Sequence, residues 1–371
     1  MNKILIVLLI PFVLLSCKRD KKETASSNAK PALKMYRLNG GKVMVNKLQI
    51  FSQGDLYEGQ TKEFSNSYFV IEHPNGKLVW DTGLPDGLAG QEPFTSPDGN
   101  FTVSRKAKAA NQLKAIGLDA REIDYLALSH THFDHTGAAS VFKNATWIVQ
   151  EKEYSHAKSE EIQKNNPDQY NAIKDLTKIQ IINGDHDVFG DGTVVIKSMP
   201  GHTPGHSTLF VDLPSGAVLL SGDLYHFNEN RDGKVVPSFN TSVEETKASM
   251  EAFEAFAKAK NATVILQHEL QDFSETIMGE FIFLGDAAVL KGDNFIYGVK
   301  IDDKMHELAK QVGTKKRDQF DMVPVLINGV ITPKPAGTEG WDNIITVKEI
   351  LEINEPTSEG AIKVESTLPL N

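Results

Sequence analysis

The most informative segment of the chain reads Ser129-His-Thr-His-Phe-Asp-His-Thr-Gly137. It follows the apolar segment Asp124-Tyr-Leu-Ala-Leu-Ser129, which predicts a strand, so its polar side chains lie where a strand ends. The alternating His130 and His132 can direct two imidazoles to one point, and a tight turn then brings Asp134 and His135 towards a second point. Imidazole and carboxylate ligands without a thiolate suit zinc, iron, manganese or cobalt. The segment therefore predicts a metal site.

Three further candidate ligands occur later in the chain, and each comes after a predicted strand. They are His202 in the rigid loop Pro200-Gly-His-Thr-Pro-Gly-His206, Asp223 after Ser221-Gly222, and His268 after the apolar segment Thr263–Gln267. A lone His-x-His pair is a weak signal, whereas the whole set in this order is specific. We expect His206 to stabilise its own turn and not to bind metal.

This pattern resembles the metallo-β-lactamase-fold hydrolases over about residues 40–275. The resemblance implies an α+β fold, a four-layer αββα sandwich with two divalent metal ions at one edge of its two sheets. It assigns His130, His132 and His202 to the first ion. It assigns Asp134, His135 and His268 to the second ion, with Asp223 bridging both. Asp81, in Trp80-Asp-Thr-Gly83, matches a buried aspartate that orients ligands without binding the metal.

The same resemblance implies the chemistry of the site. Two divalent ions, zinc first among the candidates, lower the pKa of a bridging water, so that a hydroxide is available at neutral pH. That hydroxide attacks a carbonyl or phosphoryl centre, and Asp134 lies where it can shuttle the proton. A serine nucleophile is not required, and the sequence contains no Gly-x-Ser-x-Gly motif.

Several local stretches resemble one branch of these hydrolases, the N-acyl-homoserine lactonases of quorum quenching. They are Gln53-Gly-Asp-Leu-Tyr-Glu-Gly59, Leu78-Val-Trp-Asp-Thr-Gly83, the 129–137 segment, Asp185-His-Asp-Val-Phe-Gly-Asp-Gly192 and Ser221-Gly-Asp-Leu-Tyr-His226. The predicted substrate is therefore an acyl lactone. The alternatives are a hydrolase of the same fold acting on another lactone, ester, thioester or phosphoester, and a lipoprotein that binds a partner through its tail.

One departure from that branch concerns the substrate carbonyl. The branch places a tyrosine three residues after the bridging aspartate, whereas this chain has His226 there and Tyr225 one position earlier. We expect His226 to polarise the carbonyl because it keeps the spacing, with Tyr225 as the alternative. Phe133 is expected to line the entrance of the site. The Pro- and Gly-rich stretch Leu84–Phe101 is expected to lie over it.

The N-terminus carries the features of an exported lipoprotein. Residues 1–16 are predicted to be a signal peptide, because the apolar run Ile4–Leu15 is too short to span a bilayer comfortably. It ends in Leu14-Leu15-Ser16-Cys17, which resembles a bacterial lipobox, so Cys17 is the predicted lipid anchor to the membrane of the cell envelope. Residues 17–34 are polar and are predicted to form a flexible tether.

Composition sets further bounds on the 371 residues. Hydrophobic residues at 40% and charged residues at 24% are ordinary for a globular protein. The net charge of −10 argues against nucleic acid as a partner, and a single cysteine excludes a disulfide framework. Residues 35–275 are predicted to form the hydrolase domain, and 276–371 a small β-rich accessory domain of unknown role. Within them, 47–51 is predicted as a strand, and 104–116 and 302–311 as helices.

Overall fold

The computed structural model describes residues 32–271 and 273–356. The predicted signal peptide, Cys17 and almost all of the predicted tether therefore lie outside the described residues. Within those residues, none of the helices combines the length and the apolar character that crossing a bilayer requires.

The first of two stacked sheets has eight strands in the order β4-β5-β1-β2-β3-β6-β7-β8. The strands β1 to β8 are Lys34–Val45, Lys62–His73, Gly76–Trp80, Phe94–Thr95, Phe101–Ser104, Tyr125–Ala127, Thr146–Gln150 and Ile179–Ile182. Strands β2 and β3 form an antiparallel hairpin across the Pro74-Asn75-Gly76 turn, where the positive φ of 144° at Gly76 suits a residue without a side chain. The neighbouring strands β3, β6, β7 and β8 run parallel to one another. The carboxyl ends of β3 and β6 therefore meet at one edge of the sheet.

The second sheet has five strands in the order β13-β12-β11-β10-β9. The strands β9 to β13 are His186–Asp187, Val194–Ser198, Ser207–Leu213, Gly216–Leu220 and Thr263–Ile265. Its inner face packs on the first sheet, with Phe69 and Trp80 on one side and Leu209 and Leu220 on the other. Strand β13 joins β12 in parallel, which brings their carboxyl ends to the same edge.

Helices cover the outer face of each sheet. The helices α1 to α8 are Ala109–Ala115, Phe133–Thr136, Glu151–Ala157, Glu160–Asn165, Pro167–Ile173, Asn228–Gly233, Val243–Lys260 and Asp303–Gly313. Leu113 and Ile173 pack on the first sheet, whereas Met250 and Phe253 of α7 pack on the second. Ser242 begins α7 by accepting a hydrogen bond from the Glu245 amide, as a capping residue does. The predicted αββα sandwich is confirmed.

The C-terminal region is a closed five-stranded barrel in the order β14-β15-β16-β18-β17. The strands β14 to β18 are Glu275–Leu284, Ala287–Lys291, Ile296–Val299, Val323–Pro333 and Asn343–Ile353. Helix α8 connects β16 to β17 and buries Met305 and Leu308 in the barrel core. The barrel adjoins the hydrolase region at β1, where the Arg37 amide donates to Thr276 Oγ1. The β-rich character predicted for this region is confirmed.

One local prediction is wrong, and another is confirmed only in part. The predicted strand at 47–51 is a 3₁₀ turn, Leu48–Phe51, because Leu48 and Phe51 both enter the core at a helical spacing. The predicted helix at 104–116 begins only at Ala109. Its first residue, Ser104, belongs to β5, which pairs with β1. Pairing between distant strands outweighed local helix propensity there.

Candidate metal centre

The seven predicted ligands meet at one edge of the sandwich. His130, His132, Asp134 and His135 lie on the turn after β6 and on the short helix α2. His202 lies on the loop between β10 and β11, Asp223 on the turn after β12, and His268 just after β13. The structure therefore brings together side chains from both sheets that are up to 138 residues apart, from His130 to His268.

Three ring nitrogens converge in a first cluster. His130 Nε2 lies 2.9 Å from His132 Nδ1, and His202 Nε2 lies 3.2 Å and 3.1 Å from these two atoms. Ligands about 2.0–2.1 Å from a tetrahedral zinc ion lie about 3.3 Å from one another. Asp223 is the fourth residue whose ligand atom belongs to this group. The first cluster therefore has the spacing and the donor types of a zinc-like site.

A second cluster lies beside the first and consists of Asp134, His135 and His268. His135 Nε2 and His268 Nε2 lie 3.3 Å apart. Asp223 Oδ1 lies 3.1 Å from the former and 3.0 Å from the latter, while its Oδ2 lies 3.4 Å from His202 Nε2. The two oxygens of one carboxylate thus face the two clusters, which is the geometry of a bridging ligand.

The outward ring nitrogens of four of these histidines have partners of their own. The Nδ1 atoms of His130, His135, His202 and His268 lie within 3.0 Å of Ser129 Oγ, Asp81 Oδ2, Asn240 Oδ1 and the Ser65 carbonyl oxygen, respectively. When Nδ1 donates to such an acceptor, Nε2 of a neutral ring presents a lone pair to the cluster. These contacts favour the tautomer that binds metal, and the donor set fits a divalent metal ion.

Burial and the nearby charges also favour metal binding at both clusters. Burial holds the pKa of His130 and of His202 well below the ordinary value of 6.5, so both rings stay neutral. Burial also opposes the charge of His135, yet the carboxylates of Asp223 and Asp81 raise its pKa well above that value. These carboxylates therefore favour positive charge at the second cluster, as a metal-binding site must.

Asp81 lies behind the clusters and connects them to the fold. It is fully buried; Oδ1 accepts from the Ser129 amide at 2.7 Å, and Oδ2 from Gln267 Nε2 at 2.8 Å. Its φ of 59° lies in the left-handed region that non-glycine residues seldom adopt. Such strain persists only where surrounding contacts hold it, and here it directs the carboxylate at Ser129 and His135.

An apolar pocket of about 310 Å³ opens above the clusters. Its walls are apolar side chains, namely Val43, Ile50, Phe51, Phe64, Phe101, Phe133 and Phe239. Phe133 is 37% exposed and lies 6.2 Å, between ring centroids, from Phe101. Of the predicted covering stretch Leu84–Phe101, only Asn100 and Phe101 line this pocket, and Phe94 points into solvent.

The two candidates for the substrate carbonyl lie on opposite sides of the backbone. His226 lines the pocket, and its Nε2 lies 3.1 Å from Asp223 Oδ2. Tyr225 points away from the clusters into the core beneath α7, where its ring meets Phe253. Burial raises the pKa of the Tyr225 hydroxyl. The structure therefore brings His226, and not Tyr225, to the site.

Two histidines outside the ligand set have structural contacts. His206 Nε2 accepts a hydrogen bond from the Asp223 amide, and His206 Nδ1 lies 2.9 Å from the Met199 carbonyl oxygen. It therefore holds the backbone of the bridging ligand. His73, at the end of β2, is buried, paired with Asp191 and stacked on Phe189 of the 185–192 loop.

Some residues of the site carry no sequence signal that we recognised. Gln267 accepts from Trp80 Nε1 and from the Gly222 amide with its Oε1 while its Nε2 donates to Asp81. Asn66 Nδ2 donates to the Asp134 carbonyl oxygen. The one local clue to Gln267 is its position directly before the ligand His268, at the end of a strand. We find no such clue for Asn66.

This geometry agrees with a comparison against protein families. The sequence model of the metallo-beta-lactamase superfamily matches residues 61–268, a range that includes all seven ligands. The chain belongs to the metallo-beta-lactamase superfamily. The barrel lies beyond the matched range, so the superfamily membership concerns the two-sheet region that carries the metal centre.

Known members of this superfamily resemble the chain over most of their length. The N-acyl homoserine lactonase AttM of Rhizobium radiobacter is 32% identical over 261 residues, which cover 64% of this chain and 93% of AttM. The N-acyl homoserine lactonase AiiA of Bacillus thuringiensis subsp. kurstaki is 28% identical over 257 residues, which cover 67% of this chain and 98% of AiiA.

Solved structures of this superfamily show the same fold. An N-acyl homoserine lactone hydrolase with N-hexanoyl-L-homoserine bound at its catalytic metal center superposes with a TM-score of 0.56 at 24% identity. The match covers 65% of this chain and 95% of that one. The dizinc quorum-quenching lactonase AidC superposes with a TM-score of 0.51 at 16% identity, covering 74% of this chain and 96% of its own.

Proposed function

We propose that this protein is a metal-dependent hydrolase that opens the lactone ring of N-acyl-homoserine lactones. The observation that carries the proposal is the position of Asp223 between two ligand clusters at the floor of an apolar pocket. A polar reactive centre beneath phenylalanine walls suits a substrate with a small polar ring and an apolar acyl chain. The similarity to AttM and AiiA supports this substrate class over other esters.

The cofactor in this proposal is a pair of divalent ions, with zinc as the first candidate. The six ligand residues other than Asp223 divide into two sets of three, and Asp223 faces both. When bound, two such ions activate a water molecule and stabilise the charge that develops on the carbonyl oxygen. The protein's own contribution is to fix the ligands, to hold the acyl chain and to move a proton.

Asp134 is the residue that moves the proton in this proposal. Its side chain lines the pocket, and its Oδ2 lies 3.6 Å from His268 Nε2 and 3.8 Å from His135 Nε2. It is thus a ligand that reaches the substrate space, unlike the buried His130 and His202. A carboxylate in that place can accept a proton from the attacking water and deliver it to the leaving alkoxide.

His226 is the residue that orients the substrate carbonyl. Its Nε2 is at the pocket floor, and its ring is held by an edge contact with Phe51 at a centroid distance of 4.7 Å. An N–H at that place can donate a hydrogen bond to the carbonyl oxygen as negative charge develops there. His226→Phe is expected to lower kcat about 10²-fold, whereas Tyr225→Phe leaves kcat within a factor of two. The reverse result would assign the role to Tyr225.

The activity itself is tested by following proton release from short- and long-chain N-acyl-homoserine lactones by zinc-loaded protein. An unactivated ester, a thioester and a phosphodiester serve as competing substrates, and Asp223→Ala is the blank. Fast lactone opening that disappears in the blank is the expected result. Faster turnover of one of the other substrates would assign the protein to a different activity within the same superfamily.

We also propose that the protein is exported and anchored in the cell envelope through lipidated Cys17. The support is the sequence of residues 1–17 alone, with its short apolar run and its lipobox-like end. Labelling cells with a radioactive fatty acid tests this. Label is expected in the wild-type protein and absent in Cys17→Ser, while label in neither protein would refute the anchor.

A further inference from the structure

Glu153 of helix α3 is a buried carboxylate that the mechanism above does not use. It is 1% exposed and is not among the residues that line the pocket. Its Oε1 accepts from the Thr131 amide at 2.8 Å and from Thr131 Oγ1 at 2.7 Å. Its Oε2 accepts from Thr203 Oγ1 at 2.7 Å and from the Gly205 amide at 3.0 Å. Four neutral donors thus surround one charge.

These donors belong to the two loops that carry the first cluster. Thr131 lies between His130 and His132, and Thr203 directly follows His202. The first loop leaves the first sheet after β6, whereas the second loop enters the second sheet at β11. One carboxylate therefore joins loops from two sheets, each oxygen serving one loop.

The packing around Glu153 leaves little freedom. A Cβ atom added to Gly205 would lie 2.4 Å from the Glu153 amide nitrogen, so the second loop packs directly against the start of α3. Gln169 Nε2 also donates to Thr131 Oγ1 at 3.1 Å. By contrast, the second cluster is supported by Asp81, which touches His135 directly, and by Asn66, which holds the Asp134 carbonyl. Glu153 therefore supports the first cluster alone, whereas Asp81 holds both His135 and the Ser129 amide next to His130.

We propose that Glu153 is a positioning residue that sets the separation of the two loops and thereby the metal affinity of the first cluster alone. This role of Glu153 rests on the proposed metal-dependent site but not on the choice of substrate. Residues behind metal ligands that fix their orientation contribute about 10- to 100-fold to metal affinity. None of the groups that donate to Glu153 is hydrogen-bonded to Asp134, His135 or His268, so we expect no effect on the affinity of the second cluster.

The test is a double-mutant cycle in metal binding, measured by titrating apo protein with Zn²⁺ against a chromophoric chelator. Glu153→Gln keeps one accepting oxygen but turns an NH₂ group towards two donors. In a His268→Ala background, where the first cluster is intact, this change is expected to weaken the remaining site at least 10-fold. In a His202→Ala background, where the second cluster is intact, the remaining site is expected to keep its affinity within twofold.

Matched controls separate positioning from general destabilisation. Glu151→Gln makes the same chemical change on the same helix at an exposed position, and it is expected to leave both affinities unchanged. If Glu153→Gln fails to fold, Thr203→Val removes one of the four hydrogen bonds, and Thr203→Ser restores the hydroxyl. Thr203→Val is then expected to weaken only the first cluster and Thr203→Ser to recover wild-type affinity.

Two results would overturn the proposal. One is an equal loss of affinity at both clusters, which would make Glu153 a general support of the fold. The other is unchanged affinity at the first cluster in a folded Glu153→Gln protein. Neither depends on turnover, so a wild-type protein that opens no lactone yet shows the selective loss would refute the proposed substrate and retain the role of Glu153.

Discussion

The two-sheet region and the C-terminal barrel are stabilised by different means. The core of the barrel consists of apolar side chains such as Phe281, Leu290 and Ile345. The two-sheet region also has large apolar cores, but at its edge it buries histidines and carboxylates, among them Asp81, His130 and Asp223. Burying charge is costly unless it is paired or bound to metal. The region that carries the chemistry therefore buries metal-binding side chains beside its apolar cores, whereas the core of the barrel is apolar.

The strongest expected contrast is in activity. Among the described residues, Asp223 is the one carboxylate that faces both clusters, so Asp223→Ala is expected to lower kcat/KM for lactone opening at least 10³-fold, about 4 kcal/mol. Zinc stoichiometry by mass spectrometry under native conditions should fall as well. Amide exchange in β14–β18 should stay unchanged. Retention of more than a tenth of the activity would show that Asp223 does not bridge the site.

The reciprocal change lies in the barrel. Phe281 is fully buried, and truncating such a phenylalanine costs about 3–5 kcal/mol. Phe281→Ala is therefore expected to lower the denaturant midpoint of the barrel, as measured by the fluorescence of the exposed Trp341. The kcat of the folded protein at 25 °C is expected to stay within twofold. Phe281→Leu, which keeps most of the volume, should recover most of the stability. A parallel loss of kcat would show that the barrel controls the active site.

Metal removal tests the comparison without a mutation. Ions that bind the native clusters and not the unfolded chain stabilise by about 2.7 kcal/mol at a free concentration of 100 times Kd. Chelation is expected to remove hydrogen-exchange protection from the ligand loops 129–137 and 200–206 and to leave that of β14–β18 unchanged. Equal loss of protection in both regions would show that the two unfold as one unit.

The smallest effect is expected at the seam between the two regions. Glu275, at the start of β14, lines a groove with Lys106 and Asn39. Burial raises the pKa of its carboxyl above the ordinary value of 4.5, although Lys106 opposes the shift. Neutral Glu275 therefore contributes to the stability of the folded protein, and this contribution is fully present below pH 4.5. It is lost as the pH rises through the raised pKa and the carboxyl ionises.

The matched variant for this seam is Glu275→Gln, which stays neutral. Its Tm is expected to exceed that of the wild type by a small amount at pH 8, and the difference should disappear below about pH 4.5. A thermal unfolding series across pH measures it. A wild type that is more stable than the variant at pH 8 would show that the attraction between the Glu275 and Lys106 charges outweighs the cost of burial.

Sequence patterns found the ligands and also Asp81, but not Gln267 or Glu153, which hold the ligands through other contacts. The ligands stand out because each follows an apolar strand and has a metal-binding side chain. Gln267 and Glu153 are ordinary in type, and their roles come from contacts that cross the fold, such as the bond from Gln267 to Asp81, 186 residues away. The predicted helix at 104–116 forms only over Ala109–Ala115, and Ser104 instead belongs to β5, whose pairing with β1 is not visible locally.

The amino-acid sequence by itself determined the superfamily, the seven candidate ligands and the β-rich nature of the tail. These conclusions depend only on the types of the residues and on their order along the chain. Only the tertiary structure decided that His226 and not Tyr225 reaches the pocket, and that Glu153 joins two ligand loops. Those facts depend on how two sheets stack, because packing sets distances between residues that the sequence keeps far apart.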